Sequence, residues 1–159
     1  WTSGEVFTVA LPMDVEVVPN PVEGICIQRG PVVYSYAIPA DCEEDTEVYD
    51  YLAGKVSANP DFKCWNMTPA GKWNYALVED KLDDLKVSFT GASGFPFDLE
   101  NVPVKITVPV VGVEGWTLVE DRYTPALPET VVPESEEVTY IDLVPYGSTT
   151  LRMTTFPVY

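Results

Sequence analysis

Fifteen prolines scattered among ten glycines cut this chain into short pieces, and that spacing limits its fold more than any other feature. Proline removes a backbone donor and glycine weakens a helix interior, so long helices are excluded and short strands with sharp turns are favoured. A chain of 159 residues can still bury a real core, as one domain or at most two small packed halves. With 46% hydrophobic and 12% aromatic residues it is too apolar to remain disordered, even with the charge it carries.

Residues 138–157, close to the C-terminus, carry the clearest local pattern. Thr139, Ile141 and Leu143 fall on one face of a first strand. Leu151 and Met153 fall on one face of a second, with Thr150, Arg152 and Thr154 on the other. That alternation is what a sheet with one buried and one wet face requires. Pro145 and Gly147 break the run, which reads as a closing hairpin tucked into the middle of a sandwich.

Upstream, residues 5–11 place Phe7, Val9 and Leu11 on one face and predict a strand, followed by short strands at 14–18 and 24–29. The nearly continuous apolar run 32–38 is the best candidate for a central strand covered on both faces. Residues 41–47 read as an acidic loop, and Val48, Tyr51 and Leu52 have the spacing of one helical turn. Further strands are expected at 85–90 and 102–113, the latter one bent strand or a pair interrupted at Pro103 and Pro109. Another runs from Trp116 through Val119, and a proline-stiffened connector spans 125–134.

Lys plus Arg number 9 against 25 Asp plus Glu, a formal net charge of −16. Such a field repels phosphate backbones and anionic lipid, so the reading is no nucleic acid and no membrane as partner. No apolar run is long enough to cross a bilayer. The balance suits an extracytoplasmic protein handling neutral ligands. The chain starts at Trp1 without a methionine or a visible signal peptide, and so reads as a processed product or an excised piece.

There is no histidine, which removes Ser-His-Asp and Cys-His nucleophiles and the usual zinc ligands together. Cys26, Cys42 and Cys64 are odd in number, widely spaced and without a CxxC, so they read as core thiols with room for one fortuitous bridge. The acidic run 41–47 lacks the alternating spacing, glycine pivot and distal glutamate of a calcium loop. No carboxylate pair stands out as a glycosidase dyad. Ser3, Ser35, Ser88 and Ser93 have no base and no elbow glycines, and the glycines at 91 and 94 do not form a phosphate cradle. The expectation is no catalytic residue, no metal and no cofactor.

One constellation remains. Trp65, Trp73 and Tyr75 lie close in sequence with Asn66 and Asn74 beside them. Exposed flat rings give sugars an apolar stacking platform and the amides can reach hydroxyls. The competing reading is that the rings fill a core or a domain interface.

Several short motifs, in order, carry a resemblance. Trp1-Thr-Ser-Gly4-Glu5 followed by Leu11-Pro-Met13, then Arg29-Gly-Pro-Val-Val-Tyr34, Trp73-Asn-Tyr-Ala-Leu77 and Leu143-Val-Pro-Tyr-Gly147 with Leu151-Arg152 and Phe156-Pro157 resemble the C-terminal region of the bacterial β-L-arabinofuranosidases, in their gut-bacterial branch. That resemblance implies a β-sandwich following a catalytic (α/α)6 barrel, itself the partner of this module, and an extracytoplasmic location. In that family the catalytic glutamate and the cysteine nucleophile with its zinc-ligand companions belong to the barrel. The three cysteines here match none of its motifs, so no catalytic residue carries over.

The resulting expectation is a single all-β domain over 1–159: an antiparallel, jelly-roll-like β-sandwich of about ten strands with at most one short helical turn. Its expected role is a non-catalytic accessory module of a polysaccharide-degrading glycosidase, packing on the barrel. The alternatives are a carbohydrate-binding module using exposed aromatics on oligo- or polysaccharide, and a surface structural or adhesion domain.

Overall fold

The computed structural model describes residues 2–45, 61–91 and 94–159. Ten strands follow one another: β1 (Val15–Pro19), β2 (Ile25–Arg29), β3 (Val32–Ala37), β4 (Ala40–Glu44), β5 (Trp65–Pro69), β6 (Tyr75–Leu77), β7 (Lys86–Phe89), β8 (Val104–Gly112), β9 (Thr139–Pro145) and β10 (Arg152–Met153). Every strand pair is antiparallel, and the chain has the all-β class its sequence predicts. Three short 3₁₀ turns accompany the strands, at Glu79–Asp84, Leu99–Asn101 and Tyr146–Ser148. The helical turn expected at 48–52 lies outside the described residues.

Eight strands form one curled sheet with the order β1-β2-β3-β9-β8-β6, in which β10 also pairs with β3 and β7 with β8. β4 and β5 form a separate two-stranded ribbon. Residues 32–38 do supply a central strand: β3 pairs with β9 along one edge and successively with β2 and β10 along the other. Both faces are covered, with Tyr34 and Ser35 adjacent and buried. The Ser35 hydroxyl is matched by Thr154 Oγ1 at 2.8 Å, as a buried hydroxyl must be.

The closing stretch departs from its predicted form. β9 and β10 do not pair as a hairpin; β3 lies between them. Pro145, the 3₁₀ turn at Tyr146–Ser148 and residues 149–151 carry the chain from one edge of β3 to the other. The inward face is as expected, with Leu143 and Met153 buried, whereas Thr139 is exposed.

Residues 102–113 resolve to one strand, with Pro109 inside it. A proline within a paired strand needs its missing N–H to fall where no partner wants it. Along β8, β7 pairs residues 104–107 and β6 pairs residues 110–112, both on the same edge. The Pro109 carbonyl accepts from Val78 N at 3.1 Å on that side, so the absent donor sits at the break between the two partner strands.

Four further expectations are corrected. Residues 5–11 form no strand, and Val6, Phe7, Val9 and Leu11 are exposed. Alternation marks a face, but without a paired edge it does not make a strand. Residues 116–119 form no strand either and end in an isolated bridge between Val119 and Tyr123. The acidic run is not all loop, because residues 41–44 are paired in β4 against β5. Of the cysteines, Cys42 is exposed on that ribbon and not a core thiol, while Cys26 is half-buried; neither is bridged.

After β10 the chain closes the curl. Ile25 and Phe156 exchange backbone bonds of 3.0 and 2.9 Å, and Leu77 then bonds Pro157 O at 3.0 Å and Tyr159 N at 2.9 Å. The C-terminal segment thus joins β2 to β6. The core, including Ile27, Leu77, Ile106, Val108, Leu143 and Phe156, fills the interior of that ring.

Candidate functional site

Beside the C-terminal closure lies an open, mainly apolar groove of about 510 Å³. Its walls come from five places in the chain. The turn between β1 and β2 contributes Asn20, Val22 and Glu23. Ile38 follows β3, and Pro69 and Trp73 stand on either side of the link from β5 to β6. Trp116 and Leu118 lead to the connector residues Thr124, Pro125 and Leu127, and residues 151–155 complete the wall.

Two tryptophans meet there. Trp73 and Trp116 pack edge to face, ring centroids 5.0 Å apart and planes at 62°, the geometry the indole quadrupole favours. Trp116 is buried and donates its Nε1–H to Ala126 O at 3.0 Å, which holds the connector beside it. Trp73 is only half-buried.

The polar groups of the groove are largely tied within the fold. Asn20 donates to Thr155 Oγ1 at 3.2 Å and accepts from Val22 N at 2.9 Å. Glu23 accepts from Leu127 N at 3.3 Å, pinning the connector from the opposite side. Arg152 donates through Nη2 to Thr149 O at 2.6 Å, and its guanidinium lies 4.0 Å from the Tyr146 ring centroid. Its Nε is buried and has no acceptor among the described residues.

The five residues singled out by sequence are not gathered into one platform. Trp65 and Asn66 lie on the exposed ribbon, at the far end of β5 from Pro69, and Lys63 Nζ stands 5.8 Å from the centre of the Trp65 ring. Trp73 lines the groove. Tyr75 packs edge to face on Tyr36 with centroids 5.6 Å apart, against the core. Asn74 spends its amide on Val113 O at 2.6 Å and Glu134 Oε1 at 3.1 Å.

Asn74 therefore belongs to a polar knot. Lys72 pairs with Glu134 and lies 5.6 Å from the centre of the Tyr75 ring, and Tyr36 donates its hydroxyl to Lys72 O at 3.2 Å. Hydrogen bonds from Lys72 and then Asn74 hold the Glu134 carboxyl below its ordinary range. Burial, and secondarily the neighbouring Tyr75, pushes the Tyr36 phenol up. The knot ties the end of the connector to the link that leads into β6.

Sequence reasoning missed Trp116, Arg152 and Asn20 as groove residues. Trp116 follows Gly115, a pattern that signals no more than the start of a strand. Arg152, a lone cation in a run of hydroxyl and apolar residues, was the one available signal. Among the described residues no group of three or more Cys, Asp or Glu is placed to hold a metal ion, and no helix is long and apolar enough to cross a membrane.

A second surface stands apart from the groove. Val6, Phe7, Val9 and Leu11 are 90%, 61%, 76% and 81% exposed in the segment that leads into β1. Arg29 links that approach to the sheet, its Nη1 reaching Met13 Sδ at 3.9 Å and its guanidinium lying 5.4 Å from the centre of the exposed Phe89 ring. Comparison with family models, with curated proteins and with solved structures finds no match for this chain.

Proposed function

We propose that this chain is a non-catalytic β-module of a larger polysaccharide-degrading glycosidase, working outside the cytoplasm and packing on the catalytic domain of its parent. The observation that carries the reading is the exposed apolar segment Val6, Phe7, Val9 and Leu11, continued by Met13 and Phe89. Scattered apolar residues on a surface need no explanation, but a strand-length run of them marks a face meant to be covered. The motif resemblance implies a helical barrel as the covering partner.

The test compares hydrogen exchange of this chain alone with that of the longer product of the reading frame that precedes Trp1. Protection of residues 5–13 in the longer protein, and its loss when Val9 and Leu11 are both changed to lysine, is the expected result. Equal exchange in both forms removes the packing role. Release of a monosaccharide from arabinan by this chain alone replaces the module with a hydrolase.

A further inference from the structure

The groove is not used by the packing role, and its chemistry points to a ligand of its own. Its apolar floor ends at a half-buried tryptophan, Trp73, backed by the buried Trp116. An indole edge and face held rigid by a second ring is a ready stacking surface that loses little freedom on binding.

Three observations narrow what stacks there. First, Thr124, Thr154 and Thr155 line the same groove; the Thr154 hydroxyl is matched by Ser35 and that of Thr155 accepts from Asn20, so it is Thr124, exposed at the rim, that brings a hydroxyl to a ligand on the apolar floor. Second, Arg152 stands in the wall with a buried Nε that has no acceptor. That Nε is closed off from the groove, but a guanidinium carries five N–H donors, and those not spent on Thr149 O are the ones a ligand oxygen can take. Third, Glu23 shares the groove, and the chain carries a net charge of −16. Both weigh against an anionic ligand.

We infer that the groove binds a neutral oligosaccharide, with one sugar ring on Trp73 and a hydroxyl or ring oxygen accepting from Arg152. A sugar combines the required features in one ring, since its C–H face is apolar and its rim carries oxygens. This site is distinct from the aromatic cluster suggested by sequence proximity, because Trp65 lies on the far end of the ribbon and Asn74 is committed to the polar knot. It also stands whether or not the apolar face packs on a neighbouring domain.

The experiment is calorimetric titration of the chain with neutral arabino-, xylo-, galacto- and manno-oligosaccharides, and with an oligogalacturonide as the acidic arm. At least one neutral ligand is expected to saturate with a Kd between about 10 μM and 1 mM. Trp73→Ala is expected to weaken it at least about tenfold, and Arg152→Lys severalfold, since lysine lacks the planar fork. Thr124→Arg places bulk in the groove at an exposed position and abolishes binding without touching the core. Trp65→Ala leaves the affinity unchanged. No saturation by any neutral ligand up to about 10 mM overturns the inference, as does binding that survives Thr124→Arg but is lost in Trp65→Ala. Binding of the acidic ligand alone overturns it too.

Discussion

Leu77 and Val158 form a parallel bridge in a molecule whose named strands all pair antiparallel. Leu77 is wholly buried, pairs with Val110 of β8 on one side, and bonds Pro157 O and Tyr159 N on the other. The last four residues therefore act as a splice between β6 and β2, and the closure of the ring depends on them.

Phe156 anchors that splice, with no exposed surface and two backbone bonds to Ile25. Phe156→Ala leaves a cavity in the core and is expected to cost about 3–5 kcal/mol, read as a fall in the urea midpoint. A loss under about 1 kcal/mol means that the C-terminal segment does not close the sheet.

Gly24 turns the chain between β1 and β2 at φ +71°, and a Cβ there would meet Leu127 Cδ1 at 2.5 Å and Phe156 O at 2.6 Å. Gly115 has nearly the same φ, +70°, with nothing within 4 Å. Gly115→Ala pays for the left-handed conformation alone, about 1 kcal/mol. Gly24→Ala must also move the connector or the C-terminal segment, so its loss is expected to exceed that of Gly115→Ala clearly in paired thermal melts. Equal losses would mean that the contacts around Gly24 yield freely.

Acidification loosens the connector. The Glu134 carboxyl, held low by Lys72 and Asn74, contributes stability that is present above the ordinary carboxylate pKa and lost as pH falls through the lowered one. Its side chain is 41% exposed, so solvent screens the contribution and the effect is small. Glu134→Gln is expected to lower stability slightly at neutral pH and to match the parent chain in acid, so that the profile is flatter below about pH 4.5. An acid limb as steep as in the parent chain argues against the knot.

Alkali acts on the other side of the same knot. Burial raises the Tyr36 phenol, so its contribution is present below the ordinary tyrosine pKa and is lost as pH rises through the raised one. Ultraviolet titration is expected to show a late-ionising tyrosine, and Tyr36→Phe to remove that late step. A titration with all tyrosines ionising together contradicts the burial of Tyr36.

Much of the sheet was legible from alternation and punctuation. β2, β3 and β9 follow apolar patterning, and Pro19, Pro69 and Pro145 end their strands, where a missing N–H costs least. Residues 5–11 carry the same alternation and form no strand, because a strand needs an edge to pair with and not only a face. Pro109 sits mid-strand for the opposite reason, since the gap between β7 and β6 tolerates it. The site was less legible. Closeness in sequence suggested joining Trp65 to Trp73, whereas Trp73 in fact meets Trp116, a partner no local spacing could indicate.

Proline spacing and two-residue periodicity were enough to settle that this polypeptide makes short strands, and which side chains of β2, β9 and β10 turn inward. Those signals act within a few residues. Which strands become neighbours was left to the folded molecule, because partner choice depends on burying every apolar face at once. Only that packing set β3 between β9 and β10, brought the C-terminal segment across to β6, and opened the groove beside Trp73.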